Sequence, residues 1–118
     1  MSVSNISDAL MENVLLTRKW KMHFNLESLG DTQKTLVVDD APVQILDPEG
    51  TAVDVLLPAE ASSKGLLFMI INNGSGTEDL VVKEDGDSTT IATVTASSAS
   101  IVFCDGTTWR GFAATNVT

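Results

Sequence analysis

The chain carries one histidine, His23, one cysteine, Cys104, and no tyrosine. Nucleophilic catalysis needs a hydroxyl or thiol beside a general base, so a Ser–His–Asp or Cys–His arrangement would have to use His23. His23 sits in an alternating stretch beside Lys21, with no nucleophile motif nearby. It reads as a surface or interface histidine. Cys104 ends the apolar run Ile101-Val102-Phe103, the setting of a buried, inert thiol rather than an activated one. We therefore expect no enzyme activity and no catalytic residues.

Oxygen ligands are more plentiful. Glu84, Asp85, Asp87 and Asp105 could serve a hard cation such as Ca²⁺. The run Glu84-Asp85-Gly86-Asp87 lacks the ordered ligand series and closing glutamate of a calcium loop, so a hairpin turn with solvated carboxylates is expected, with no metal. Gly74-Ser75-Gly76 is glycine-rich, but no Lys-Ser/Thr follows to make a phosphate loop. The stretch from Asn72 to Thr77 reads as a flexible hairpin tip, and no cofactor is expected. Trp20 and Trp109 remain as large anchors. Each could serve as a sugar platform or interface hot spot, with core or edge packing as the plainer role.

Positioning these residues falls to a series of short strands. Trp20, Met22, Phe24 and Leu26 alternate with Lys19, Lys21, His23 and Asn25, giving a strand with one apolar and one basic face. Further β-type runs are expected at Thr35–Asp39, Val43–Leu46, Ala52–Leu57, Leu66–Asn72, Asp79–Lys83, Thr89–Thr95, Ser100–Cys104 and Thr108–Phe112. Between them lie turn residues, among them Gly30-Asp31, Asp47-Pro48-Glu49-Gly50, Glu84-Asp85-Gly86 and Asp105-Gly106. Such spacing predicts an all-β domain, an antiparallel β-sandwich or barrel of jelly-roll-like form. Leu66–Ile71 is apolar on both faces, which marks a central strand or an oligomer contact. No repeat of 20–50 residues is visible.

Ahead of the strands, residues 4–17 have the marks of a short helix or an extended arm. Ser7 can cap it, Asp8 and Glu12 sit in its early turns, and Leu10, Met11, Val14 and Leu15 form an apolar stripe. The organisation expected is an N-terminal arm or short helix with the first strand over 1–26, then the β-domain over 27–118.

Composition sets the remaining bounds. The chain of 118 residues suits one domain with one core. With 43% hydrophobic and only 19% charged residues, it can fold, yet it is sparsely charged for a free surface. Burying part of that surface in an oligomer would reconcile the two. Net charge is −9, which argues against nucleic acid as a partner, because phosphate binding needs clustered Lys and Arg. The charge is uneven. Residues 1–26 hold Arg18, Lys19 and Lys21 against two acids, whereas all the remaining acids lie in 27–118. One cysteine excludes an internal disulfide framework and fits assembly in a reducing cytoplasm. No apolar run approaches the roughly 18 residues needed to cross a bilayer, and neither a secretory signal nor a Met-Gly start is present, so no membrane role is expected.

Taken in order, the pattern Asp47-Pro48-x-Gly50, Val53-x-Val55-x-Leu57-Pro58, Gly65-x-x-Phe68-x-Ile70-x-Asn72-x-Gly74, Leu80-x-Val82, Gly86 and Cys104-Asp105-Gly106-x-x-Trp109 resembles structural β-domains of tailed-bacteriophage virions. Capsid decoration (cement) proteins are the members it is most like, and head- or tail-fibre modules share such patterns. The resemblance spans roughly residues 35–112. It implies a virion component, commonly a homotrimer, that binds the major capsid protein on the outer surface of the mature head and braces the shell. Under that reading Trp20, Met22, Phe24 and Trp109 would contact capsid or a neighbouring subunit, and Arg18, Lys19 and Lys21 would engage acidic capsid surface. The alternative is a receptor- or glycan-binding fibre module using Trp109 and the turn carboxylates.

Overall fold

The computed structural model describes residues 21–86 and 89–114. Arg18, Lys19, Trp20, the expected arm or helix, and Asp87 lie outside the described residues.

Among the described residues, alternating apolar and polar positions fold as nine strands. They are β1 (Phe24–Ser28), β2 (Lys34–Thr35), β3 (Val43–Asp47), β4 (Val53–Leu56), β5 (Leu67–Asn72), β6 (Leu80–Lys83), β7 (Thr90–Val94), β8 (Ala99–Cys104) and β9 (Trp109–Ala114). A short 3₁₀ turn, Glu60–Ser62, precedes β5. The fold is thus all-β, as the spacing predicts. The run expected over Thr35–Asp39 shrinks to the two residues of β2, because Val37 and Asp40 close a turn. Asp40 N–H donates to Val37 O at 3.0 Å, and Val37 N–H donates to the Asp40 carboxylate at 2.8 Å.

Strand pairing departs from the antiparallel expectation. One sheet has five strands in the order β1-β3-β5-β8-β9, the other four in the order β2-β4-β6-β7. Both are mixed. The pairs β1–β3, β3–β5, β2–β4 and β4–β6 are parallel, while β5–β8, β6–β7 and β8–β9 are antiparallel. From β1 to β6 the chain alternates between sheets, so each crossover of one sheet is a strand of the other. Parallel neighbours need such a long return connection, which is usually a helix. Asn72–Thr77 is accordingly no hairpin tip: it carries the chain from β5 in one sheet to β6 in the other. Both sheets are open, with edges at β1 and β9 and at β2 and β7, so neither closes into a barrel.

The inward faces meet in one core. Leu46, Phe68, Ile70, Val102, Cys104 and Trp109 come from the five-stranded sheet, and Val53, Val55, Leu80, Val82 and Val94 from the four-stranded one. Loop residues Leu29, Leu36 and Leu57 complete it. Trp109 is only 2% exposed, its ring is stacked on Phe68 with centroids 6.2 Å apart, and its Nε1–H donates to Pro58 O at 2.9 Å. That satisfied donor lets an indole sit in a core without a desolvation penalty.

Two buried amides tie the connections to this core. Asn72 donates through Nδ2 to Glu78 O and Val94 O, each at 2.9 Å, and accepts from Gly74 N–H at 2.9 Å. Gln44 accepts from Asn25 Nδ2 at 2.9 Å and donates to Ala41 O at 2.8 Å. Gly111 stands where a side chain would press on the core: an added Cβ would lie 2.8 Å from Val102 Cγ1 and 3.1 Å from Ile91 Cγ2.

Candidate interaction face

The residues with catalytic potential do not converge. Cys104 is fully buried, with its sulfur 3.6 Å from Glu60 O and accepting from Gly106 N–H at 3.4 Å. His23 is exposed, at a shallow depression shared with Asp39, Asp40 and Pro42. The buried Ser100 hydroxyl has no hydrogen-bond partner among the described residues, so no base activates it. Among the described residues no three His, Cys, Asp or Glu side chains gather in a way that could hold a metal ion.

Several acids of the turns are engaged in building them. Asp105 accepts from Thr107 N–H at 2.9 Å and Thr108 N–H at 2.8 Å through one oxygen, and from Arg110 Nε at 3.0 Å through the other. Those backbone donors first, and Arg110 second, hold its carboxyl down to about 2 from an ordinary 3.8. Asp47 caps Glu49 N–H at 2.9 Å, and Asp31 caps Gly50 N–H at 2.6 Å. Asp31 itself has φ +63°, a left-handed conformation that Asp tolerates better than most residues. Glu27 is held below its usual carboxylate range, chiefly by the Lys34 ammonium at 2.8 Å and then by Asn25.

What the structure does assemble is a surface. In the five-stranded sheet, register places Phe24, Val43, Met69, Ile101 and Phe112 side by side across all five strands. The next row along the strands places Leu26, Ile45, Ile71 and Ala99 side by side. Leu67 and Phe103 pair beyond the first row. Alternation puts all of these on the face opposite the core. Phe24 is 62% exposed, Leu26 64% and Phe112 61%. Only the margins carry charge, with Arg110 beside Phe103 and Asp47 at the far end of β3.

β1 inverts the usual rule for a half-buried strand. Its inward residues are polar: Asn25 bonds Gln44 and Glu27, and Glu27 takes Lys34. Its apolar residues point outward. The other sheet behaves conventionally, since its outer face carries Asp54 and Lys83, bridged at 3.1 Å, and Thr93. That outer face also holds Leu56 and Val81, and Val37 and Val38 are exposed in the β2–β3 connection, so the larger sheet differs in having its apolar residues in continuous rows with charge only at the margins. Exposed apolar faces of this extent mark interaction sites in soluble domains.

Met22 and Phe24, anticipated as contact residues, lie on or beside this face and are exposed, as is Lys21. Trp109 does not join them; it occupies the core, the plainer of the two roles considered for it. The proposed boundary at residue 26 falls inside β1, which is an integral strand of the sheet. Met69 and Ile71 fall in the run Leu66–Ile71 read as a central strand or an oligomer contact, whereas the outward members Ile101, Phe103 and Phe112 are not among the expected contact residues. For Ile101 and Phe103 a signal is present in the double-sided apolarity of Ile101–Phe103; Phe112 has none.

Comparison with known proteins adds no relative: no family model, no curated protein and no solved structure matches this chain.

Proposed function

We propose that this chain is a structural assembly protein of a virion, a capsid decoration (cement) protein that binds the outer surface of the mature head as a homotrimer. The observation that carries the reading is the outward, uncharged apolar face of the five-stranded sheet. The larger sheet leaves an apolar outer face free for contact, while the carboxylates of Asp31, Asp47 and Asp105 are taken up within the turns. The two sheets are read as halves of a sandwich, a stiff slab suited to bracing a shell. Its action is passive, since each contact formed only in the assembled lattice stabilises that lattice by mass action. Several weak contacts per oligomer sum through effective concentration.

Within this reading the basic residues Arg18, Lys19 and Lys21 engage acidic capsid surface, and Trp20 anchors beside them. The fibre-module alternative loses its aromatic platform, because the Trp109 ring is enclosed by Phe68 and the Pro58 carbonyl. Gold-labelled antibody applied to purified particles tests the proposal. Label spread over the head is expected, and label confined to the tail, or absent from intact particles, refutes it. Deleting residues 1–18 is expected to abolish particle binding while leaving the thermal unfolding of the β-domain in place, since every core residue among the described ones lies between Leu29 and Trp109. Particle binding retained by the deletion variant would remove the arm from the mechanism.

A further inference from the structure

We infer that the outer face of the five-stranded sheet is the surface through which copies of this chain meet, with the β1 side of one copy against the β8–β9 side of the next. The inference rests on the assembly reading for the kind of partner, and it adds the surface and its polarity. Three features of the face point to a second copy.

The first is shape. A hollow of about 430 Å³ lies on the β5–β8–β9 part of the face, walled by outward apolar side chains such as Met69, Ile101 and Phe112 and, at its loop end, by Asn73, Gly74 and Ser97. Ala99 is the small residue in its row, facing Ile71 across the β5–β8 pair, and it leaves the room. At the opposite edge, β1 presents Phe24 and Leu26 as projecting side chains, both more than 60% exposed. Projection and hollow are thus carried by one face on opposite halves. Two copies of such a face can fill each other, which is the requirement for self-assembly, and a projection at one edge with a hollow at the other gives the contact a direction.

The second is charge. Each copy carries a formal charge of −9, so two copies repel wherever their acids approach. The strands of this face carry no acid but Asp47 at its end, and Asp39 and Asp40 border it only at the Phe24 corner. A basic partner would be drawn to the acidic turns instead.

The third is area. Five strands about 4.8 Å apart and about five residues long give a face of roughly 20 by 17 Å. Each directional contact uses about half of that face on each copy, with side chains in relief on the order of 250 Å² a side, and a closed ring of copies uses both halves; single contacts of that size are weak. A self-contact of that size is reversible and concentration-dependent, as suits a protein that completes its assembly on a lattice.

Sedimentation equilibrium of the full chain, with Phe24→Lys and Phe112→Glu as variants, tests the inference. Thr93→Glu, on the outer face of the other sheet, serves as control. The unsubstituted protein is expected to associate reversibly, each face variant to weaken association at least about tenfold, and the control to leave it unchanged. Both face positions are more than 60% exposed, so neither substitution threatens the fold, and far-ultraviolet circular dichroism checks this. Direction is read separately in the Phe24→Cys, Phe112→Cys double variant, whose other thiol, Cys104, is buried. Oxidation is expected to link Phe24→Cys of one copy to Phe112→Cys of another. A monomeric protein at high concentration overturns the inference, as does association indifferent to both face variants, and cross-links joining only like positions overturn its directional part. These outcomes are read in purified protein, so they are distinguishable from a failure of particle localisation.

Discussion

At the scale of single residues, Asn72 has a role larger than its place at the end of a strand suggests. Its amide joins the β5–β6 connection to the end of β7 through two carbonyls and the Gly74 N–H. Replacing it with Ala leaves Glu78 O, Val94 O and Gly74 N–H without that partner, and unpaired buried polar groups are costly. We expect Asn72→Ala to lower stability by roughly 2–4 kcal/mol, measured by urea unfolding. A loss below about 0.5 kcal/mol, the range of ordinary surface changes, would show that the amide is dispensable. Nothing in the sequence marks this role. In one dimension Asn72-Asn73-Gly74 is a turn signal, and only the fold brings residues 78 and 94 to the same amide.

Among the elements, the β8–β9 hairpin shows how much a turn motif can encode. Asp105 organises it by accepting two backbone N–H groups and the Arg110 guanidinium, which lowers its carboxyl to about 2. A carboxylate with a lowered folded-state value stabilises the hairpin fully above its ordinary 3.8 and loses that contribution as pH falls towards 2. The melting temperature of Asp105→Asn should therefore sit below that of the unsubstituted protein at neutral pH. The gap should close as pH falls from about 5 to about 2. A constant gap across that range would mean that the charge on Asp105 plays no part.

The same element scale explains what was legible in the sequence. Strand positions follow from alternation, and eight of the expected β-runs correspond to β1 and β3–β9 within a residue or two, apart from the late start of β1. Pairing direction does not follow from the turns. Glu84-Asp85-Gly86 joins the antiparallel pair β6–β7, and Asp105-Gly106 joins β8–β9. Pro58–Gly65 and the shorter Pro48–Ala52, with its Glu49-Gly50, carry equally good turn residues but lead into the opposite sheet. Turn chemistry states that the chain bends, not which strand it meets next. The coils are also unequal, with Val43 beside Phe24 and Met69 beside Val43, so the winding leaves no sequence period. The face was half visible. β5 announced itself as apolar on both sides, but that Phe24 and Phe112 extend the same row required the register of four other pairings.

For the whole molecule, the consequence is one of folding speed. Every parallel pair joins segments separated by an intervening strand of the other sheet, so non-local contacts dominate and loop-closure entropy precedes the gain from pairing. Refolding in the range of milliseconds to seconds is expected, slower than for a helical domain of equal size. With Trp20→Phe, Trp109 becomes the one tryptophan of the chain, and its stopped-flow fluorescence reports closure of the core around Phe68. A microsecond phase carrying the full amplitude would contradict this.

The alternation of strands between sheets also has a bearing on synthesis. β5, the central strand of the larger sheet, gains β3 as soon as it is made, but its other neighbour is β8. While β6 and β7 emerge and leave for the opposite sheet, Leu67–Asn72 stands as a naked edge, apolar on both sides and with its hydrogen bonds open along one flank. On a ribosome adding about 5–20 residues per second, that interval lasts on the order of seconds. Nascent chains crowded on one message expose the same edge at the same stage, so yield in the cell is set less by the finished molecule than by how briefly β5 waits for β8.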